Sequence, residues 1–288
     1  MLLILEQTLN GLQLGVTLFL MSAGLTLTFG IMQVINLAHG SFYMVGAYVA
    51  ATVTIRTGSF LLGLVTALLA AALVGMLVEA LILRRLYKKE HVEQVLATFG
   101  LIMFFNEMTR IIWGRQPLFM DVPPWLSGTI ELIPGIPYPS YRVAVIGMGL
   151  LVALFLYLMF SRTRIGIQIR AGASNREMAG ALGINIRLLY TMVFGLGTLL
   201  AGLAGVMAGP ILAVETGMGE NILILTFVVI VIGGIGSVRG AFIASLMVGM
   251  VDTLGRAFLP TLLRMFLSSA YADGVASSIA SMSIYILM

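Results

Sequence analysis

Residues 60–83 read FLLGLVTALLAAALVGMLVEALIL, an apolar run in which Glu79 is the single charged residue. A helix needs about 20 predominantly apolar residues to cross the roughly 30 Å hydrocarbon core of a bilayer. Similar runs recur along the chain, and Leu, Ile, Val, Ala and Met fill them without the alternation typical of barrel strands. Because backbone groups in lipid must be satisfied within helices or a closed barrel, the pattern predicts an all-α polytopic membrane protein.

The overall composition supports this class. Of the 288 residues, 60% are apolar and 10% are charged, whereas soluble domains carry about 25% charged residues. The net charge of +4 does not indicate nucleic acid, because the basic residues lie in short loops between apolar runs. Cysteine is absent, which excludes disulfides and thiolate metal sites. Neither His39 nor His91 has a second ligand at metal spacing, so no cofactor, metal or catalytic group is predicted.

Nine apolar spans are predicted. They lie at 8–30, 34–55, 60–83, 93–112, 141–160, 188–209, 221–235, 241–258 and 265–288. Glycine-rich pieces around 30–46 and 231–240 are either whole spans or broken ones, so we expect about eight transmembrane helices, all in one domain over 1–288. The first basic residue is Arg56; without a positive n-region, the first helix is predicted to be retained.

The basic residues indicate which ends of the spans face the cytoplasm. Nine of the 16 Lys and Arg residues lie in two short loops. They are Arg84, Arg85, Lys88 and Lys89 in the first loop, and Arg162, Arg164, Arg170, Arg176 and Arg187 in the second. Short loops rich in Lys and Arg stay cytoplasmic. Two spans separate the loops, so both are predicted to be cytoplasmic, and the intervening segment 113–140 is predicted to face outside.

The segment 113–140 is rich in proline and poor in charge. Six of the eight prolines lie in it, namely Pro117, Pro123, Pro124, Pro134, Pro137 and Pro139. Proline removes a backbone donor and biases the preceding residue toward extended geometry. We therefore expect an irregular, proline-stiffened external loop, which either connects two spans or offers a docking surface to an external partner.

A short internal echo links two spans. The residues 37–42 (LAHGSF) resemble residues 237–242 (SVRGAF), and each segment opens an apolar span. Transporters are often built from two related halves, with sites where helices break. A two-fold pseudo-repeat is one interpretation of this echo, and chance similarity is the other.

The second basic loop, 161–187, reads SRTRIGIQIRAGASNREMAGALGINIR. It is too polar to span a membrane and too patterned to be disordered. Ser174 or Asn175 can cap a helix that begins near Arg176, because a side-chain oxygen there accepts from a free backbone N–H. Glu177 would lie in the first turn, where the helix dipole favours an acid.

This helix is predicted to be short. Ala179, Ala181 and Leu182 continue it, and Gly183 can end it in a left-handed conformation. The result is a helix over about 175–183 with small residues on one side. Such a helix either anchors the loop at the membrane surface or allows close approach by another protein.

Six segments of the sequence resemble a known family when they are taken together. They are Gly24–Gly30 (GLTLTFG), Val34–Gly40 (VINLAHG), Gly46–Tyr48 (GAY), Ala97–Leu101 (ATFGL), Glu177–Asn185 (EMAGALGIN) and Gly233–Gly240 (GGIGSVRG). Glu177–Asn185 resembles the coupling loop of ABC importer permeases. The others resemble the LivH-type permease of branched-chain amino acid ABC importers, in order between about 8 and 258. Urea-importing relatives share the INLAHG-like segment, so a urea or short-amide importer is the alternative.

The resemblance implies a set of partners. These are a second, LivM-type permease, two cytoplasmic ATPases and a periplasmic solute-binding protein, assembled in the bacterial inner membrane. The chain has no G-x-x-x-x-G-K-[ST] phosphate loop, so it would transmit movement rather than hydrolyse ATP. The residues expected to couple to the ATPases are Arg176, Glu177, Ala179, Gly180, Ala181, Gly183 and Asn185.

A solute path is also predicted. Asn36 and His39 are three residues apart and would share a helix face, and buried polar groups in membranes often line a path. The alternative is that they bond to neighbouring backbone. The candidate path residues are Asn36, His39, Gly40, Gly233, Gly234 and Gly236, where four glycines in eight residues, counting Gly240, should interrupt a helix.

Other polar and small residues are interpreted as structural. Glu107 with Arg110, and Asp252 with Arg256, have spacings that permit ion pairs. Glu79 is expected to reach toward Arg84 at the end of its span. The small residues between 195 and 209, including a G-x-x-x-G pair, should allow tight helix contact. Two rival functions are a self-sufficient secondary transporter, which would not need the basic-loop helix, and an intramembrane enzyme, for which no catalytic set is visible.

Overall fold

The chain folds into long helices joined by short connections. The structure, a computed structural model, describes residues 2–87, 89–133, 136–265 and 269–288; Lys88 and Pro134 lie outside the described residues. The helices are α1 (Leu2–Met32), α2 (His39–Thr57), α3 (Phe60–Val78), α4 (Arg84–Leu86), α5 (His91–Trp113), α6 (Ser140–Arg162), α7 (Arg164–Ser174), α8 (Arg176–Ala181), α9 (Ile186–Ala208), α10 (Met218–Gly233), α11 (Val238–Leu263) and α12 (Ser269–Leu287). Each of the nine predicted spans coincides with a helix, which confirms the predicted class.

Six helices in the described part of the chain are long and apolar enough to cross a membrane. They are Leu2–Met32, Phe60–Leu86, His91–Trp113, Ser140–Arg162, Ile186–Ala208 and Val238–Leu263. The helix α10 has 16 residues and a length of about 24 Å, less than the roughly 30 Å of hydrocarbon. The predicted count of about eight lies between these six and the nine spans, and it stays a prediction.

Two chain breaks separate helices, as the glycine-rich segments predict. Residues 33–38 separate α1 from α2, and residues 234–237 separate α10 from α11. At the second break, Gly234 and Gly236 have φ angles of 84° and 83°, which favour glycine because other residues would strain there. The echoing segments 37–42 and 237–242 therefore occupy matching positions, each spanning the end of a break and the start of the next helix. The two-fold repeat itself stays a prediction.

Glycines bring the central helices into backbone contact. A Cβ atom built on Gly46 of α2 would lie 2.5 Å from the Cα of Gly202 in α9, far inside van der Waals contact. A Cβ atom built on Gly24 of α1 would lie as close to the carbonyl oxygen of Gly197, and one built on Gly205 of α9 would overlap the carbonyl oxygen of Tyr43. Small residues are the usual means of helix association in lipid, where helices gain nothing by hiding apolar surface. The predicted packing role of these glycines is confirmed.

The loops segregate to two opposite ends of the helices. At one end, called the basic end, the guanidinium of Arg84 donates to the hydroxyl of Thr191 over 2.9 Å, which joins the first arginine-rich loop to α9, the helix that directly follows the second loop. At the other, called the proline-rich end, the Trp113 indole donates to Thr52 over 2.6 Å. The two basic loops therefore share one end and the segment 113–140 lies at the other, as their predicted sidedness requires.

The second half of the segment 113–140 is not irregular, so that prediction is wrong there. β1 (Thr129–Ile133) pairs antiparallel with β2 (Ile136–Pro139). The strand sequence TIELI contains β-branched residues that suit a pleated ribbon. The buried Tyr138 of β2 donates to the Asn10 side chain of α1 over 3.1 Å, which ties the hairpin to the first helix.

The glycine contacts give a matched test of the packing. Gly205→Ala would drive a methyl group into the Tyr43 carbonyl, so we expect a loss of about 1–3 kcal/mol in unfolding free energy, as for other overpacked positions. Gly147→Ala is the control, because nothing lies within 4 Å of its Cβ position and alanine favours the helix by roughly 0.5–1 kcal/mol. Thermal unfolding in detergent measures both. Equal melting temperatures for the two variants would contradict this packing.

Candidate functional site

The predicted short helix in the second basic loop is present as α8. It begins at Arg176, and the Asn175 side chain accepts a hydrogen bond from the Met178 N–H over 2.9 Å. Gly183 follows the helix with a φ of 89°, as a left-handed terminator should. The loop also contains α7, which the sequence analysis did not predict. The Thr163 hydroxyl caps α7 by accepting from the Gly166 N–H over 3.2 Å.

The exposed face of α8 differs from the expected one. Ala179, expected to contact another protein, is 2% exposed and faces the body of the chain. Leu182 and Met178 are 77% and 59% exposed, and the small residues beside them are also exposed. The α8 surface therefore consists of two large apolar side chains among small and charged residues, namely Glu177, Met178, Gly180, Ala181 and Leu182.

Polar contacts tie α8 to the central helices. The Arg176 side chain interacts with the hydroxyl of Tyr190 in α9. That hydroxyl donates to the carbonyl of Ile31, near the end of α1, over 3.3 Å. Asn185 caps α9 by accepting from the Leu188 N–H over 3.1 Å. Movement of α8 would therefore reach α9 directly, and α1 through Tyr190 of α9.

A buried carboxylate lies beside this connection. Glu79 is fully buried at the start of a π-helical turn, Glu79–Leu83, between α3 and α4. Its oxygens accept from the Tyr87 hydroxyl (2.6 Å), the Thr191 hydroxyl (2.7 Å) and the Arg84 guanidinium (2.9 Å). The expected pair between Glu79 and Arg84 forms, and its carboxylate is fully buried. A buried charge is stable only when it is paired and hydrogen-bonded, as here.

The Glu79 cluster joins the first basic loop to the start of α9, just after the second basic loop. Tyr87 packs edge-on against Tyr190, with ring centroids 5.4 Å apart, and Thr191 is the residue after Tyr190. Burial and then the hydrogen bond to Glu79 raise the pKa of Tyr87, so its hydroxyl stays a donor at physiological pH. π-helical turns inside α-helices often occur at functional sites. The lone acid in the run 60–83 was the only sequence signal for this cluster.

The structure separates the predicted path residues. Asn36 precedes α2, so it does not share a helix face with His39, and that expectation is wrong. The Asn36 side chain is buried and accepts from the Ala38 N–H over 3.1 Å. His39 is fully buried beside Phe42, and Gly40 is in backbone contact with Gly219. Asn36 accepts from neighbouring backbone, as the alternative expects, but the ring nitrogens of His39 and the Nδ2 of Asn36 have no hydrogen-bond partner among the described residues. A role in the solute path stays a prediction.

The remaining path candidates lie at the basic end. Gly233 ends α10 in backbone contact with Gly240, and Gly234 and Gly236 form the break that follows. Of the six candidates, Gly236 lines a cavity of about 880 Å³ between α1, α6, α7 and the start of α11. The ion pairs Glu107–Arg110 (3.4 Å) and Asp252–Arg256 (2.8 Å) form as predicted.

Known proteins resemble this chain over most of its length. Residues 7–280 match the family described as "Branched-chain amino acid transport system / permease component". The chain is 29% identical to the high-affinity branched-chain amino acid transport system permease protein LivH of Escherichia coli K12, over 89% of this chain and 87% of LivH. It is 29% identical to BraD of Pseudomonas aeruginosa, over 87% and 86%.

A more distant relative transports sugar. The chain is 25% identical to the ribose import permease protein RbsC of Escherichia coli K12, over 86% of this chain and 75% of RbsC. No solved structure matches the chain significantly.

The Glu79 cluster predicts a specific stability effect. Glu79→Gln removes the buried charge that Arg84, Tyr87 and Thr191 satisfy. We expect a loss of about 1.5–3 kcal/mol in unfolding free energy, the usual range for hydrogen bonds to a charged group. The control is Glu107→Gln. Glu107 and its partner Arg110 are both exposed, so this substitution should leave the melting temperature unchanged. If Glu79→Gln and Glu107→Gln both have the wild-type melting temperature, the cluster does not stabilise the contact between the first basic loop and α9.

Proposed function

The chain belongs to the permease component family of branched-chain amino acid transport systems, and on that premise we propose that it forms part of the membrane path of an ATP-driven importer. The observation that carries the proposal is the α8 surface at the basic end. Its apolar side chains would gain about 1.5–3 kcal/mol each from full burial. A motor subunit docked there would bury them and push on a helix already tied to α1 and α9.

The motor has to come from other subunits. The sequence contains no phosphate-loop motif, so ATP would be bound and hydrolysed by two ATPases at the basic end, which is the cytoplasmic side in this proposal. A second, LivM-type permease completes the path. A periplasmic solute-binding protein delivers the solute at the proline-rich end, where the hairpin β1–β2 is anchored on α1. The complex would lie in the inner membrane of a bacterium.

Branched-chain amino acids are the proposed solutes. The relatives LivH and BraD are named for this transport, and the chain matches them over most of their length. That match favours an amino acid over urea or a short amide. A stand-alone secondary transporter is disfavoured, because it would have no use for an exposed docking helix.

Solute specificity can be measured through the motor. The complete importer, purified with its binding protein and reconstituted in lipid, should hydrolyse ATP several times faster with leucine, isoleucine or valine than without solute. Urea should give no stimulation. Stimulation by urea and not by leucine would contradict the proposed solutes and indicate a urea importer.

Motor docking can be tested on α8 itself. Leu182→Asp places a charge in the proposed apolar contact, so we expect a loss of ATPase subunits on copurification, at least tenfold if a buried leucine contributes about 1.5–3 kcal/mol. Ala181→Trp should act in the same direction by steric overlap. The control is Leu212→Asp, which alters a leucine of similar exposure (56%) at the proline-rich end. Normal ATPase recovery with Leu182→Asp, in a normally inserted chain, would refute docking at this helix.

A further inference from the structure

The cavity of about 880 Å³ at the basic end has one charged end and one apolar end. Arg170 of α7 and Arg239 of α11 line it beside Ser161 and Ser237. Farther from the basic end, the lining includes Phe19 of α1 and other apolar residues. Phe19 and Ile31, the outermost α1 residues in the lining, are separated by about 18 Å at a rise of 1.5 Å per residue.

Both arginines are available to an anion. Arg239 is exposed and lies 5.5 Å from the ring centroid of Tyr157, and Arg170 is exposed and donates to the Phe160 carbonyl. In the described part of the chain, neither forms an ion pair with an acidic residue. Guanidinium groups bind phosphate and carboxylate strongly, through two parallel hydrogen bonds.

A buried hydroxyl also faces the cavity without a partner. Thr26 of α1 lines the cavity, is 1% exposed, and its Oγ1 has no hydrogen-bond partner among the described residues. Buried hydroxyls normally have a partner, because an unpaired one costs free energy. A ligand with an acceptor oxygen below its charged group would supply that partner.

The walls of the cavity are apolar and open toward the membrane. Leu154 of α6 and Ile243 of α11 line it and are 54% and 60% exposed. A groove with cations at its end and apolar walls about 18 Å long matches an amphiphile rather than a small solute. An amino acid would satisfy the charged end but leave most of the length empty.

We propose that this groove binds an anionic phospholipid. The phosphate would lie between Arg170 and Arg239, an ester oxygen would accept from Thr26, and an acyl chain would run along α1 toward Phe19. Basic pockets between helices at a membrane surface are known to hold anionic headgroups. Because this groove lies beside α7 and the break before α11, the bound lipid would connect the loop that carries α8 to the central helices.

Lipid retention by the purified full chain, with the subunits that copurify with it, tests the site. In equal mixtures of phosphatidylglycerol and phosphatidylcholine, native mass spectrometry should show retained phosphatidylglycerol. Arg170→Gln or Arg239→Gln should each lower its retention about fivefold, the effect of one basic residue near an anionic surface. Arg164→Gln is the matched control, since this exposed arginine of the same loop does not line the cavity.

Two variants separate binding from folding. Thr26→Val removes a hydroxyl that bonds to none of the described residues, so it should lower lipid retention without lowering the melting temperature. Ala153→Trp, from the α6 wall, should fill the groove and exclude the lipid. Unchanged phosphatidylglycerol retention in all four groove variants would overturn the proposal. Displacement of the lipid by millimolar leucine would also overturn the proposal, because the groove would then be a solute site. If the groove variants lost the second permease and kept the lipid, the groove would be a subunit interface and the proposal would fail.

Discussion

Backbone contact between helices through paired glycines is the constraint on which the rest of the structure depends. Gly24 with Gly197, and Gly46 with Gly202, bring α1, α2 and α9 so close that a single methyl group would not fit. In lipid, the hydrophobic effect does not drive helices together, so close van der Waals packing has to do it. The buried core is built mainly from α1, α2 and α9, while the most apolar spans, Phe60–Leu86 and Ser140–Arg162, lie around it and are mostly exposed.

This core determines what the two ends of the molecule can do. Helices packed through their backbones move as units, because little side-chain freedom is left between them. At the basic end, α8 contacts that unit through Arg176 and Tyr190, and Glu79 holds the first arginine-rich loop against α9. A push on the exposed leucine and methionine of α8 would therefore reach α9 directly, and α1 through the hydroxyl of Tyr190.

Much of this architecture could be predicted from the sequence. The nine spans follow from apolar length alone, and the cap and end of α8 follow from Asn175 and Gly183, since both are local signals. The exposed face of α8 could not be predicted, because whether Ala179 or Leu182 faces the body depends on how α8 sits on α9. Whether Asn36 shares a helix face with His39 could not be predicted either, because it depends on where α2 begins. Glu79 was visible as a lone acid, but its partners Tyr87 and Thr191 come from elsewhere in the chain.

ATP-dependent uptake of leucine by proteoliposomes is the measurement that tests the central claim most directly. The account predicts uptake only when this chain, its partner permease, the ATPases, the binding protein and ATP are all present, and no uptake by the chain alone under an ion gradient. Leucine accumulation by the chain alone, driven by a proton or sodium gradient and indifferent to ATP, would contradict it.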